Sequence, residues 1–422
     1  MKQTVQAYLT QPLNELGRWL SLDWRYYFRG GVWMALAYAA SLLAGFFTSM
    51  VLARYLSKEA YGRYSFVFTM MSLASITALP GLSTAITRSV ARGYPRSMLD
   101  GTHESIKASL WGSLALLGAT FYYLLQRDPQ WQMLLIGAMT FPIIYGLQAP
   151  PSYFIGQKRF GLSAAYWIAS ELVVAIVVVG VVFIHPSPTL LVLASVSASC
   201  LVNSAFFLKA YSEVRHTPSQ HDSGLLSYGR HLTGITAIGT IANYLDRVLI
   251  SLYLDFTALA VFNVAAIFPD IVKSMAKYID PLVLPRFAGL TKQQVSQRVR
   301  RKLLPMLMIN WLTVIIAVFL TPLMIHLAYP AYLESVRYAR WLFISLAFIV
   351  PTLVINSALT SQQSTRQLYQ ANLIFAAVQI GSLIILVPTM GLLGAVLSRV
   401  ISRFCLAAYY GHALYSLEKG HG

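Results

Sequence analysis

The sequence predicts an all-α integral membrane protein, with about twelve transmembrane helices in two pseudo-symmetric six-helix bundles. Three observations lead to this fold class: 57% of the 422 residues are hydrophobic, apolar runs long enough to cross a bilayer recur along the chain, and the two halves match weakly at a fixed offset. A spanning helix needs about 17–25 apolar residues. In lipid such runs form helices, because the backbone has to satisfy its own hydrogen bonds.

Twelve segments qualify as spans, and the loops on one face of the membrane are all short. No soluble catalytic domain is therefore expected on either face. The predicted spans lie near residues 32–53, 62–82, 106–125, 131–149, 162–184, 189–208, 231–254, 258–279, 303–327, 338–358, 368–388 and 391–412.

Positive charge is distributed unevenly between the two faces. The chain has 32 Lys and Arg against 15 Asp and Glu, for a formal net charge of +17. The connecting segments on the side of the N-terminus carry 23 of the 32 bases, and those on the other side carry 6. Because basic loops stay in the cytoplasm, we expect both termini to be cytoplasmic.

The predicted spans divide the chain into five parts. Residues 1–30 are polar with interspersed aromatics, which favours an interfacial helix before the first span. Residues 31–208 form the first six-helix bundle and residues 231–412 the second. Between them, residues 209–230 are rich in Ser, His, Thr, Pro and Gln and read as a cytoplasmic linker, and residues 413–422 form a cytoplasmic tail.

The two bundles resemble each other at an offset of 198 residues. Tyr55-Leu56 matches Tyr253-Leu254, and Arg88 falls on Arg286. An even number of spans per half gives both halves the same orientation, which predicts a parallel repeat about an axis along the membrane normal. In such an arrangement a substrate cavity lies between the halves near the bilayer midplane.

Charged residues inside the spans are the strongest functional signal, because a charge at a helix centre costs about 2.5–3.5 kcal/mol on insertion scales. Several bases at bilayer depth indicate an anionic substrate, and we expect four of them to bind it: Arg399, Arg403, Arg247 and Lys273. Arg suits this task because its planar fork binds anionic oxygens in pairs. The alternative is structural pairing of Asp246 with a cation on a neighbouring helix, of Asp270 with Lys273, or of Glu171 with Arg399 or Arg403.

The positions of two further groups of charges indicate other roles. Glu171, Asp246 and Asp270 are the candidates for ion coupling, since a buried carboxylate with a raised pKa can carry a proton. Arg54 ends the first span, and Arg88, Lys277 and Arg286 lie toward the basic end of later spans. These four are predicted to act at gates or to contact lipid headgroups.

Two stretches of the first half read LARYLSKEAYGRY over residues 52–64 and GLSTAITRSVA over residues 81–91, and the second half has DRVLI at 246–250 and FNVA at 262–265. These stretches resemble the polysaccharide transporter family, which includes the Wzx-type O-antigen flippases of the multidrug/oligosaccharidyl-lipid/polysaccharide exporter superfamily. The resemblance implies that the protein flips undecaprenyl-pyrophosphate-linked sugar units from the cytoplasmic to the periplasmic leaflet of the bacterial inner membrane. It also implies lipid-linked oligosaccharide and membrane lipids as ligands, and a polysaccharide polymerase and chain-length regulator as partners.

Two other functions are compatible with a membrane protein of this kind, and the residues disfavour both. A multidrug or cation antiporter of the same superfamily would place acids in its cavity, whereas bases dominate here. A membrane-embedded polysaccharide polymerase, ligase or acyltransferase would need a large outer loop or a catalytic cluster, and the eight His show no pairing. The two Cys lack metal-ligand spacing, and no Gly-x-x-x-x-Gly-Lys loop is present. We therefore expect a non-enzyme with no cofactor, no metal and no nucleic-acid partner, acting as a monomer.

Overall fold

The computed structural model describes residues 24–217, 220–276, 283, 287, 290–362 and 364–418 of the chain. It is about 88% helical, and no β-strand occurs in the described ranges. The helices of the first half are α1 (Trp24–Tyr55), α2 (Lys58–Ala74), α3 (Gly81–Ala91), α4 (Ser97–Leu125), α5 (Gln130–Gly146), α6 (Pro150–Gly156), α7 (Phe160–Ile184) and α8 (Pro188–Val214). The helices of the second half are α9 (Leu225–Tyr253), α10 (Phe256–Ala276), α11 (Lys292–Ala328), α12 (Ser335–Ile344), α13 (Ile349–Ser361), α14 (Thr365–Met390) and α15 (Leu392–Glu418).

By length and composition the described helices can make up to twelve crossings, the number that the apolar runs predicted. Ten are long and apolar enough to cross a membrane by themselves or across a short break, and two more are made by bent pairs. The pair that runs from α2 through a short 3-10 turn (Ser75–Ala78) to α3 bends by 47°, and the pair α12 and α13 bends by 41°. The all-helical fold class is confirmed, and the chain is a multi-pass membrane protein.

Several elements extend beyond the apolar runs that predicted them. Helix α11 begins at Lys292 rather than near residue 303 and has 37 residues. At about 1.5 Å per residue it is on the order of 55 Å long, well beyond the ~30 Å hydrocarbon core. It starts early because Thr291 and Gln294 form a capping box in polar sequence.

Helices extend into the segments that the sequence placed between and outside the bundles. Helix α8 continues to Val214 and α9 begins at Leu225, so the helices take up both ends of the predicted 209–230 linker. Helix α1 begins at Trp24, inside the predicted interfacial segment, and α15 continues to Glu418, inside the predicted tail. Residues 1–23 and 419–422 lie outside the described residues.

The same helix pattern occurs in both halves. Lys58 begins α2 and Phe256 begins α10, 198 positions later. Helix α5 ends at Gly146 and α12 ends at Ile344, again 198 positions apart, and each is followed by a short break and another helix. The spacing that the sequence showed in scattered matches is thus also present in the helix boundaries.

The two halves contact each other near both faces of the membrane. We call the face with 23 of the 32 bases in its connecting segments the basic face, and the other the opposite face. Near the opposite face, Gly62 of α2 lies directly against the backbone of Phe256 of α10. Near the basic face, Gly81 of α3 packs against α9, where its N–H donates to Thr233 Oγ1 at 3.1 Å. A cavity lies between these two contacts.

Candidate functional site

Charged side chains from three helices of the second half meet at bilayer depth. Each helix contributes two residues of the group, which we call the ionic cluster: Asp246 and Arg247 from α9, Asp270 and Lys273 from α10, and Arg399 and Arg403 from α15.

A buried ion pair lies at the centre of the ionic cluster. Arg399 Nε donates to Asp246 Oδ2 at 2.6 Å, and the Asp246 side chain is fully buried. The Arg399 guanidinium also lies 4.9 Å from the ring centroid of Phe262. The second Asp246 oxygen accepts the backbone N–H of Arg247 at 2.8 Å. Removing one member of such a pair leaves an uncompensated buried charge, which typically costs 3–5 kcal/mol.

Asp270 links this pair to Arg247. Its Oδ2 lies 3.7 Å from Nη1 of Arg399 and 3.7 Å from Nη2 of Arg247. Arg247 is also held by Asn263, whose Oδ1 accepts from Nε at 2.9 Å, and by the backbone carbonyl of Asn243 at 3.0 Å. Arg247 is thereby fixed at the edge of the ionic cluster.

The remaining two bases lie around the same carboxylate. Arg403 donates to Ser345 Oγ, and Lys273 Nζ lies 3.4 Å from Asn243 Oδ1. Both are close enough to Asp270 to interact with its charge. Four bases and two carboxylates leave the ionic cluster with an excess of two positive charges. All four predicted anion-binding bases are thus brought together, and their role in binding stays a prediction.

The cavity between the halves has a volume of about 420 Å³. Helices α1, α2, α7 and α8 of the first half line it mainly with hydroxyl-bearing side chains. The second half contributes Tyr244, Arg247 and Asn263. Arg247 therefore belongs both to the cavity wall and to the ionic cluster, and it connects the excess charge to the space in which a substrate can bind.

The structure separates the three predicted coupling carboxylates. Asp246 and Asp270 are paired with arginines, whereas Glu171 lies on the first-half wall of the cavity. The alternative pairing of Glu171 with Arg399 or Arg403 is wrong, because those arginines lie with Asp246 and Asp270. Among the residues that the structure describes, Glu171 has no ion-pair or hydrogen-bond partner.

The predicted gate residue Arg54 bridges the halves near the opposite face. Its Nε donates to the Ala328 carbonyl at 3.2 Å, and its Nη2 donates to the Leu327 carbonyl. These are the last residues of α11, where unpaired carbonyls favour a cation. Ser49 and Tyr329 share a hydrogen bond of 2.6 Å in the same region. The first and second halves are thus joined by polar contacts at this end of the cavity.

Near the basic face, the Arg88 guanidinium lies 4.7 Å from the ring centroid of Tyr228. The neighbouring Ser89 donates to Asp222, in the segment that joins the two halves. The Ser89 hydrogen bond, together with a backbone N–H and nearby arginines, lowers the pKa of Asp222 from its ordinary value. Lys277 and Arg286, the other two predicted gate or headgroup residues, lie outside the described residues.

Several site residues were not singled out by the sequence. Asn243 and Asn263 hold the bases of the ionic cluster, and Ser345 holds Arg403. Their sequence signal was a polar residue inside an apolar run, which many Ser and Asn in spans share. In the described ranges, no three His, Cys, Asp or Glu side chains come together as a metal site.

Comparisons with known proteins agree with this architecture. A family model described as "Polysaccharide biosynthesis protein" matches residues 27–291, which is more than half of the chain. No curated protein sequence matches significantly.

Among solved structures, "Lipid II flippase MurJ, inward closed conformation" aligns with a TM-score of 0.71 at 14% identity, covering 92% of this chain and 90% of that one. An inward-facing multidrug resistance MATE family transporter of the MOP superfamily aligns with a TM-score of 0.68 at 12% identity, covering 90% and 96%. A MOP superfamily transporter from Pyrococcus furiosus, described as having a binding pocket of reverse polarity, aligns with a TM-score of 0.61 at 13% identity, covering 93% and 96%. At these identities the likeness establishes the fold of this chain.

Proposed function

Because the chain belongs to the polysaccharide biosynthesis protein family, we propose that it is a flippase for lipid-linked oligosaccharides. It moves undecaprenyl-pyrophosphate-linked repeat units from the cytoplasmic to the periplasmic leaflet, for the synthesis of O-antigen, capsule or exopolysaccharide. The protein works in the bacterial inner membrane with both termini in the cytoplasm, as one chain that holds both halves. Its products pass to a polysaccharide polymerase and chain-length regulator.

The observation that carries the proposal is the excess of two positive charges in the ionic cluster next to the cavity. A pyrophosphate that links a sugar to a prenyl chain carries about two negative charges. Taking those charges out of water is costly, and nearby arginines offset the cost through charge-assisted hydrogen bonds. Arg247 is placed to make the first contact, because it lines the cavity while its other side reaches Asp270.

The contacts between the halves support transport by alternating access. Arg54, Ser49 and Gly62 hold the halves together near the opposite face, and Gly81 does so near the basic face. Opening one set while the other stays closed would expose the cavity to one side at a time. The prenyl chain stays in lipid between the halves, while the sugars occupy the cavity.

Glu171 is our candidate for energy coupling. It is the cavity carboxylate without a basic partner in the described part of the chain, and a proton would neutralise it without breaking an ion pair. Asp246 and Asp270 suit this role less well, because each is held by arginines. In vesicles with an imposed pH gradient, wild-type flux should respond to the gradient and Glu171→Gln flux should not. Equal responses would exclude Glu171 as the proton carrier.

The function is tested by complementation in a deletion strain, with extraction of lipid-linked intermediates. We expect complete undecaprenyl-linked units to accumulate, and wild type to relieve the accumulation. Arg247→Gln should fail to relieve it at normal protein level, while Arg298→Gln, at an exposed basic position on α11, should behave as wild type. Restoration by Arg247→Gln would remove the ionic cluster from the transport mechanism.

The second candidate is a multidrug or cation antiporter, and one observation favours it: the similarity to the MATE transporter is nearly as high as that to the flippase. The sign of the charge argues against it, because a cationic drug would meet Arg247 and the bases behind it. Normal surface polysaccharide in the deletion strain, together with raised sensitivity to cationic drugs, would favour the antiporter. The solved structures to which the chain is similar over 90% or more of its length are a flippase and transporters. For this reason we propose transport and not the catalysis of bond formation.

A further inference from the structure

We propose that the first-half wall of the cavity is a sugar-binding surface that accepts hydrogen bonds from the glycan, while the second-half wall donates hydrogen bonds to the pyrophosphate. This inference rests on the proposed function and assigns the two ends of the substrate headgroup to opposite walls. It also restricts the sugars that the protein takes.

Four hydroxyl groups of the first-half wall already donate their hydrogens to the backbone. Thr48, Thr69, Ser195 and Ser199 line the cavity, and each donates to the backbone carbonyl four residues earlier, at 2.8–3.0 Å. A Ser or Thr hydroxyl has one hydrogen to donate and two lone pairs that accept. With the hydrogen directed at the backbone, only lone pairs remain for a ligand.

Two neighbours reinforce this polarity. Tyr64 and Ser195 share a hydrogen bond of 2.9 Å, and because the Ser195 hydrogen goes to the backbone, Tyr64 is the donor. When it has released its proton, the carboxylate of Glu171 on the same wall accepts only, and no described residue donates to it. The wall thus presents acceptors from three helices, α1, α2 and α8, and a carboxylate from α7.

The second-half wall, which faces the first across the cavity, presents hydrogen-bond donors instead of acceptors. Arg247 has donors and no acceptor. The side-chain oxygen of Asn263 accepts a hydrogen bond from Arg247 Nε, so the amide –NH₂ is the group with which Asn263 can bind a ligand. In the described residues this –NH₂ has no partner. Donors thus dominate where the second half meets the cavity.

The chemistry of the substrate matches this division. Pyrophosphate oxygens only accept hydrogen bonds, whereas sugar hydroxyls and acetamido N–H groups donate. A phosphate or a sugar carboxylate against the first-half wall would face acceptors and a negative charge. The wall therefore takes neutral or N-acetylated sugars and disfavours acidic ones at this position, with the pyrophosphate turned toward Arg247.

The experiment measures binding of three lipids to the full chain in nanodiscs: undecaprenyl pyrophosphate, the same lipid carrying N-acetylglucosamine, and the same lipid carrying glucuronic acid. The test variant combines Ser199→Ala with Thr69→Val, which removes two acceptors and nearly keeps the volume. Ser382→Ala is the matched control, because its hydroxyl also donates four residues back but lies on α14, away from the cavity. Thermal unfolding checks that each variant is folded. If the double variant does not fold, the single variant Thr69→Val takes its place in the binding measurement.

We expect wild type to bind the N-acetylglucosamine lipid more tightly than the other two. The double variant should bind it about tenfold more weakly, as the loss of two hydrogen bonds predicts, and should bind the sugar-free lipid within about twofold of wild type. Three results would overturn the sugar wall and leave the flippase proposal standing. The double variant could bind both lipids equally more weakly, it could bind both as wild type does, or wild type could prefer the glucuronic acid lipid. If wild type binds none of the three lipids saturably, the proposed function fails, and the sugar wall with it.

Discussion

Two glycines at the ends of the cavity predict variants that bias the protein in opposite directions. An added Cβ at Gly62 would overlap the Phe256 carbonyl oxygen and lie 2.6 Å from the Phe256 carbonyl carbon. One at Gly81 would overlap the Gly229 carbonyl oxygen and lie 2.5 Å from the Thr233 backbone nitrogen. Ordinary contact begins near 3.4 Å, and both obstacles are backbone atoms that cannot rotate away. Gly62→Ala should therefore prevent closure near the opposite face, and Gly81→Ala should prevent closure near the basic face.

The size of the effect follows from the displacement required. The helices would have to separate by more than the roughly 0.8–0.9 Å by which these distances fall short of ordinary contact, because the two carbonyl oxygens lie closer still. Overpacking of this kind costs about 1–3 kcal/mol. If the cost falls only on the closed gate, the ratio of open to closed states at that gate rises by roughly five to a hundred and fifty fold.

Labelling of a cavity cysteine from one side of the membrane measures this ratio. Cys200 and Cys405 are first replaced by Ala, and Thr48→Cys is the reporter, since Thr48 lines the cavity. A membrane-impermeant maleimide is added on the side of the opposite face, which is the periplasmic side in the proposed orientation. It should label the reporter faster in the Gly62→Ala background and more slowly in the Gly81→Ala background. Transport should fall in both.

A matched control separates gating from general damage. Gly118→Ala is also a glycine substitution within a span, but an added Cβ there meets nothing within 4 Å. It should label and transport as the parent does. If Gly62→Ala and Gly118→Ala label at the same rate, with all proteins at normal levels, then the glycine contact does not close the cavity and the reasoning is refuted.

Three other predictions follow from the contacts described above. Asp246→Asn should lower the free energy of unfolding by about 3–5 kcal/mol, because it leaves the Arg399 charge buried and unpaired, and adding Arg399→Gln should restore part of the loss. Thermal unfolding in detergent measures both variants. If Asp246→Asn alone left the stability unchanged, the pair would not be isolated from water. Arg54→Gln removes the donors to the end of α11 and should raise periplasmic labelling of the cavity reporter about two- to fivefold, and an unchanged rate would make Arg54 a headgroup contact. The folded-state pKa of Asp222 is lowered, chiefly by Ser89, so its stabilising contribution is complete above the ordinary aspartate pKa of about 3.9 and is lost as pH falls through the lowered value. The difference in unfolding temperature between wild type and Asp222→Asn should therefore shrink from pH 7 to pH 3. A constant difference would contradict this.

The membrane architecture was predictable because it depends on local properties of the chain. An apolar run of sufficient length has to be a helix in lipid whatever lies beside it, so twelve crossings could be counted without knowing their neighbours. The extent of α11 was not predictable in the same way. Its first three turns are polar outside and bury Val295 and Val299 against the end of the second half, so hydropathy averaged along the chain misses them.

The sequence predicted which charged residues belong to the ionic cluster, but it did not predict which of them form pairs. Arg247, Arg399 and Asp246 stood out because charges inside spans are costly and rare. Which acid meets which base depends on how helices pack, and Asp246 and Arg399 are 153 positions apart. The same uncertainty led to the wrong pairing for Glu171, which lies on the other side of the cavity from the ionic cluster's helices.

The sequence alone determined the fold class, the repeat spacing and the excess of base at bilayer depth, since hydropathy, charge and length are properties that each segment carries by itself. Only the tertiary structure decided that Arg247 reaches the cavity, that Glu171 has no basic partner among the described residues, and that Thr69 and Ser199 line the cavity while donating their hydroxyl hydrogens to the backbone. Those facts depend on helix rotation and packing between segments far apart in the chain. A serine in a span has the same local signal whether it faces lipid, core or cavity, and packing alone distinguishes the three.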